Sequence, residues 1–350
     1  MRLDFGGEED ILFERIGKAG VVTLNRPRAL NALNHRMVNA LSRALQEWEA
    51  DSKVALVIVK GEGRAFSAGG DILDVYRAGM EGKASPQFFA DEYRLNAAIA
   101  RFPKPYVALI DGIVMGGGVG ISFHGSHRIM TENAVFAMPE VGIGFFPDVG
   151  GSFLLANLPR SFGMYLGLTG NRIKRGDALW SGLATHVVDA ELLPELLGEL
   201  TVTGNIRAAL RSRTVQAPRE IDEAAVHAIS HHFSCDTLEA IFASLREAAN
   251  DGDEFARATL ETMLKRSPTS MHVAFRQIST GGMLSMDECM RMEYRILNRM
   301  LTGHDFYEGI RAALIDKGST PQWKPARLED VDPADIEAYF APLPNGELEL

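Results

Sequence analysis

The chain has 350 residues, 46% hydrophobic and 23% charged, so it carries ample apolar surface for packed cores and disorder of the whole chain is excluded. Its 36 basic and 46 acidic residues give a formal net charge of −10, which argues against nucleic acid or an anionic lipid surface as partner; an anionic ligand would need a local basic patch. No run of 18 uncharged apolar residues is present to span a bilayer.

Ile11–Ile16 and Val21–Leu24, separated by Gly17–Gly20, predict a hairpin. Asn34 is placed to cap a helix with Met37, Leu41, Ala44, Leu45 and Trp48 on one face. Val54–Val59 is continuously apolar, as in a strand covered on both faces. A helix is predicted over Phe88–Arg101, stopped by Pro103 and Pro105, with a strand at Tyr106–Ile110. Gly116–Gly118 should turn the chain into a short helix reaching Phe123. Short strands follow at Arg128–Thr131 and Val135–Ala137, then helices at Phe153–Leu158, Ser161–Thr169 and Arg175–Ser181, and a strand at His186–Val188. Beyond residue 190 amphipathic helices follow one another: Thr237–Asn250 with Asp236 as expected cap, Phe255–Lys265, Ser270–Ser279, Asp287–Leu301 and Asp305–Ile315. This predicts an α/β body over residues 1–190 and a helical region over residues 191–350.

The cysteines, Cys235 and Cys289, imply no disulfide framework and suit a reducing compartment. Met1–Asp10 is acidic and has no apolar run, which reads as neither a secretory signal nor an Arg-rich transit peptide; a cytoplasmic address is expected. The phosphate-loop and H-E-x-x-H patterns do not occur. Gly116, Gly118 and Gly120 approach a dinucleotide fingerprint, but Ile121 stands where its last glycine belongs. His124 likewise spoils a G-x-S-x-G elbow at Gly120-Ile121-Ser122-Phe123. His227, His231 and His232 can share a helix turn, but nothing supplies a matched third metal ligand, and a solvated face is expected. The methionines of Met283–Met300 are expected to pack between helices.

Three segments remain. Arg64–Ile72 and Asp111–Gly120 read as glycine-rich turns from strand to helix, which leave backbone N–H groups pointing outward; two facing turns make an oxyanion site without a charged side chain. The third, Phe136–Gly151, places Glu140 and Asp148 among Met138, Phe145, Phe146 and Val149. Desolvation there would raise a carboxyl pKa and suit it to acid–base work. Singly, each segment is as well explained by turns, caps and loop carboxylates; the three together favour chemistry.

These segments resemble the crotonase, or enoyl-CoA hydratase/isomerase, superfamily. The match takes in Asn25-Arg26-Pro27 to Asn31-Ala32-Leu33, the Phe66–Ile72 turn and Met115–Gly118. Within that superfamily the chain is most similar to the 3-hydroxyisobutyryl-CoA hydrolases of valine breakdown, on Lys104–Ile110, Phe136–Glu140, Phe146–Gly151, Ser267–Ser270, His304–Ala312 and Trp323–Ala326. The resemblance implies a spiral of repeated ββα units with a C-terminal helical region. It implies hydrolysis of a short hydroxyacyl-CoA thioester, with CoA entering as part of the substrate and no separate cofactor or metal. It implies that Gly70 and Gly117 form an oxyanion hole, that Glu140 and Asp148 are the catalytic acids, and that Glu92, Gly117, Glu140 and Asp148 contact the substrate. Arg26, Arg28, Ala68 and Lys317 are expected at the CoA moiety, with Arg64 a further basic candidate. A homo-oligomer, usually a trimer in the superfamily, is expected. Hydratases of the superfamily use two glutamates; Gly120 stands where the first would be, and a residue without a side chain moves no proton.

Two routes are open for Glu140. As nucleophile it would form a mixed anhydride; as base it would activate water. The rival readings are an enoyl- or dienoyl-CoA isomerase, using the same hole for an enolate, and a non-catalytic CoA-binding scaffold. Release of free thiol from a hydroxyacyl-CoA separates the hydrolase from both.

Overall fold

The computed structural model describes residues 1–344 and 346–350. Ten strands are described: β1 (Arg2–Leu3), β2 (Ile11–Ile16), β3 (Ala19–Leu24), β4 (Leu56–Gly61), β5 (Ala65–Ser67), β6 (Tyr106–Ile110), β7 (Ile113–Met115), β8 (His127–Met130), β9 (Val135–Ala137) and β10 (His186–Val187). Seven form one sheet in the order β1-β2-β3-β4-β6-β8-β10, and β5-β7-β9 form a second. The hairpin closes with Ile16 opposite Ala19, and beyond β3 each strand of the large sheet (β4, β6, β8, β10) is parallel to the one before it. Chain order explains both sheets. Each pair β4–β5, β6–β7 and β8–β9 contributes its first strand to the large sheet and its second to the small one, and each small strand leads into a helical segment. These are the repeated ββα units, and the fold is a mixed α/β one.

By contact the chain divides into two compact units. The first comprises Met1–Gly70, Asp91–Phe136 and Ile173–Glu220; the second comprises Asp71–Ala90, Ala137–Arg172 and Ile221–Leu350. The boundary expected at residue 190 lies inside the last segment of the first unit. In that unit Leu56, Val57, Ile58 and Val59 of β4 are wholly buried, as a parallel strand covered on both faces requires. Val21, Ile58, Leu109 and Ile129 pack in one cluster with Leu196 and Leu200 of the Leu193–Thr203 helix and Ala209 and Leu210 of the Ile206–Arg211 helix. The helix His35–Ala50 starts where Asn34 accepts from the Met37 amide at 2.9 Å, and it buries Met37, Leu41, Leu45 and Trp48. The second unit is almost wholly helical. It includes the helices Ile72–Met80, Gly151–Ala156, Phe162–Thr169, Pro268–Gly281, Met286–Met300 and His304–Ile310.

Several expectations shift in detail. Thr237, not Asp236, caps the Leu238–Asn250 helix, because it directly precedes the first helical residue and its hydroxyl accepts from the Ala240 amide at 3.1 Å. The helix after Gly116 is regular only over Gly117–Gly120. The one expected over Asp305–Ile315 is α-helical to Ile310 and continues as a π-helical turn, Arg311–Ile315. His227 and His231 are exposed, but His232 is buried and its Nδ1 meets the Ser244 hydroxyl at 2.7 Å, so the trio is not one solvated face. Met290, Met292 and Met300 are buried in helix packing. Among the described residues no helix is long and apolar enough to cross a membrane.

Candidate active site

The first unit brings Gly70, Gly117 and Glu92 together. β5 ends at Ser67, and the next residues lie along Leu30–Leu33: Ala68 N donates to Leu30 O at 2.9 Å, and Leu33 N donates to Gly69 O at 2.8 Å. Leu33 and Gly70 form a parallel bridge. Such a bridge uses the groups flanking Gly70, so Gly70's own N–H faces away from Leu33. On the other side β7 ends at Met115, and Gly116 takes φ +48° and ψ −126°, a conformation essentially reserved for glycine. That twist starts the Gly117–Gly120 helix at once, and the amide of a first helical residue has no partner within its helix. A β-carbon on Gly117 would stand 3.3 Å from Gly70 N and would overlap Glu92 Oε1. Two strand-to-helix turns thus bring the Gly70 amide nitrogen close to Gly117, and the Gln87–Arg101 helix brings the Glu92 carboxyl group to the same place.

Glu92 is only 2% exposed, so it is not one more solvated charge of its helix. Asp91 and Arg94 of that helix pair with each other at 2.9 Å on the more exposed side.

The second unit holds the acids. Pro139 precedes a 3-10 turn, Glu140–Ile143, whose Val141 carbonyl accepts from Ser267 N at 3.1 Å. Glu140 is 6% exposed, and its buried Oε2 has no hydrogen-bond partner among the described residues. Burial, and then the charge of Asp148, raise its pKa well above the ordinary glutamate range. Phe145, which packs on Phe146, Phe89 and Phe306 at centroid distances of 4.7, 5.8 and 5.1 Å, builds the apolar surroundings of this segment. Asp148 is 4% exposed. Its carbonyl accepts from Gly151 N at 2.7 Å, and the next residue, Val149, sits at φ +52°. A β-branched residue there is strained by roughly 1–3 kcal/mol and persists only where neighbours hold it.

One buried acid of this unit was not singled out from the sequence. Glu293, on the Met286–Met300 helix, is wholly buried. Its Oε2 accepts from Gly150 N at 2.8 Å, and its Oε1 accepts from Ser152 N at 2.9 Å and from the Ser152 hydroxyl at 2.6 Å. Burial pushes its pKa up to about 8, with the charge of Asp148 acting the same way against the three donors. A signal did exist: Glu293 interrupts an apolar helix face made by Cys289, Met290, Ile296, Leu297 and Met300.

The residues expected at CoA are less uniform. Arg28, Arg64 and Lys317 are exposed, and Ala68 is half-buried. Arg26 is committed to its own surroundings, donating to Ala32 O at 2.6 Å with its Nε 3.8 Å from Asp10. Among the described residues no group of three or more His, Cys, Asp or Glu could hold a metal ion.

Chemically, paired amides suit an oxygen on which negative charge develops, and a desolvated carboxyl with a raised pKa suits proton transfer near neutral pH. A family model described as enoyl-CoA hydratase/isomerase matches residues 19–340. The mitochondrial 3-hydroxyisobutyryl-CoA hydrolase of Xenopus tropicalis is 45% identical over 97% of this chain and 91% of its own length. That of Rattus norvegicus is also 45% identical, with the same coverage. Among solved structures, a carnitinyl-CoA dehydratase from Mycobacterium thermoresistibile superposes with a TM-score of 0.92 at 39% identity, covering 98% of this chain and 99% of its own.

Proposed function

This chain belongs to the enoyl-CoA hydratase/isomerase family, and on that premise we propose that it hydrolyses 3-hydroxyisobutyryl-CoA to 3-hydroxyisobutyrate and coenzyme A. The observation that carries the choice of reaction is the buried acid pair Glu140 and Asp148 together with glycine at position 120. Hydration across a double bond would ask for an acid or base at 120. The sequence is also closer to the hydrolases, at 45% identity, than to the dehydratase of known structure, at 39%.

In the proposed mechanism the Gly70 and Gly117 amides donate to the thioester oxygen. Glu140 takes a proton from water as the water oxygen adds to the carbonyl carbon. The oxyanion collapses, the C–S bond breaks, and the thiolate leaves with the proton that Glu140 held. A raised pKa makes Glu140 a stronger proton acceptor, as this base role requires. Asp148 sustains that pKa by its charge. CoA is part of the substrate, and the reaction as written draws on no further cofactor. The deciding assay is release of free thiol from 3-hydroxyisobutyryl-CoA; its absence, with intact binding of the ester, would favour an isomerase or a scaffold.

The pH dependence follows. Only ionised Glu140 accepts a proton, so kcat/KM falls as pH drops through its raised pKa. A pH–rate profile should place that acidic limb well above the ordinary glutamate range; a limb within that range would remove Glu140 as base.

Selectivity is assigned to Glu92. Its buried carboxyl group accepts a hydrogen bond from the acyl hydroxyl, a contact that an ester without the hydroxyl does not make. Wild-type enzyme should therefore prefer 3-hydroxyisobutyryl-CoA over isobutyryl-CoA by roughly 10²-fold or more in kcat/KM. In Glu92→Gln the preference should narrow. Equal kcat/KM for the two esters in the wild type would return Glu92 to a structural role.

A further inference from the structure

Resting on the hydrolase reading, we propose that Glu293 is a positioning residue for the acid pair: through Gly150 and Ser152 it fixes the turn that carries Asp148. The segment Pro147–Ser152 is pinned from two helices. Gln277 of the Pro268–Gly281 helix is wholly buried and donates to the Pro147 carbonyl at 2.5 Å. Glu293 of the Met286–Met300 helix takes the Gly150 amide, the Ser152 amide and the Ser152 hydroxyl. Asp148 lies between the two pins, and the strained Val149 lies between Asp148 and Glu293's contacts. A left-handed valine relaxes unless held, and relaxation would rotate the peptide next to the acid. The holding helix is itself firmly set: Ser285 and Glu288 form a capping box, and Cys289, Ile296, Leu297 and Met300 are buried.

The chemistry of the contact calls for a carboxylate. Three donors converge on Glu293, and a carboxylate is an acceptor at both oxygens, whereas a glutamine amide would set its own NH₂ against a backbone N–H. A buried carboxylate beside other acids is otherwise unfavourable, so a loop tied down for its own sake would be better served by a neutral group. The charged groups within its reach are Asp148 and Glu140, and its charge is also felt by the Cys289 thiol one turn back on its own helix. Glu293 therefore acts on the acids in two ways, through the hydrogen-bonded turn and, as pH rises through about 8 and it ionises, through its field.

The test is Glu293→Gln, assayed by thiol release from 3-hydroxyisobutyryl-CoA across pH. The expected result is a kcat lower by about tenfold or more, as a misplaced acid implies, with KM within about twofold. The acidic limb should also move to lower pH, because Glu140 then no longer ionises beside a second acid that titrates at about 8. Unchanged kcat, or a loss of kcat with an unmoved limb, overturns the proposal and leaves Glu293 a structural anchor. Should Glu293→Gln not fold, Ser152→Ala carries the test: it removes one donor and keeps the charge, and kcat should fall about threefold with KM held. An unchanged kcat there overturns the proposal equally. A wild-type protein without thioesterase activity removes the hydrolase reading, and this proposal with it; an active wild type matched in kcat and pH profile by Glu293→Gln removes this proposal alone.

Discussion

Glu140→Gln lowers thioester cleavage by at least about 10²-fold, since positioned proton transfer alone is worth that much. The substitution keeps size and shape, removes the base, and would equally remove a nucleophile. Affinity for the CoA ester should change little, because the amides of Gly70 and Gly117 are untouched. Folding gives an independent readout. The folded pKa of Glu140 lies above its unfolded one, so its burial is without penalty below the unfolded pKa. The penalty grows as pH rises through the folded pKa and is fully present above it. Glu140→Gln should therefore melt at a higher temperature than the wild type at neutral to alkaline pH, with the gain vanishing in acid. An inactive variant that is more stable is the signature of an acid held for chemistry. A variant with full activity removes Glu140 from the mechanism, and one that loses activity together with stability marks it as a tie for its own loop. Asp148→Asn should slow turnover as well, and the two losses should not add if the acids act as one unit.

Gly117→Ala is the second large effect. The new methyl would sit 3.3 Å from Gly70 N, beside an amide that must be 2.7–3.1 Å or so from the oxyanion it serves, and it would drive into the Glu92 carboxylate. Glu92 is buried and has little room to retreat. Alanine keeps the N–H, so the effect comes from the methyl displacing the donors; a displaced hole donor costs on the order of 10²–10³ in kcat. Steady-state thiol release with a melting curve alongside decides the matter. A well-folded Gly117→Ala retaining a tenth or more of wild-type kcat (against the ~10²-fold loss expected of a displaced hole donor) would show that the oxyanion does not sit where the methyl crowds Gly70 N.

What could be read before any coordinates follows from how strongly each feature marks the sequence. β4 is legible because a parallel strand covered on both faces must be apolar throughout, and Leu56–Val59 are. The His35–Ala50 helix is legible because Asn34 and its periodic face agree. β5 and β7, at three residues each, leave no periodicity, and it is the chain beside them that makes them strands. The glycine turns and the acids among aromatics stand out because their residue types are costly where they lie. The burial of Glu92 does not stand out, since Asp91 and Arg94 flank it and the helix reads as mixed. Glu293 is harder still, one carboxylate in a polar-looking helix whose partners lie over 140 residues earlier.

The second unit's discontinuity sets an order of events during synthesis. Residues 71–90 and 137–172 leave the ribosome well before residues 221–350, which supply the rest of their unit. Glu140 and Asp148 are therefore made early and ordered late. Until the Met286–Met300 and His304–Ile310 helices arrive, the Gly150 and Ser152 amides have no Glu293 to receive them, and Phe145 has no Phe306 to cover it. A nascent chain at that stage exposes aromatic surface and invites chaperone binding. On the proposed mechanism, catalytic competence is thus gained only after translation has passed the Met286–Met300 helix.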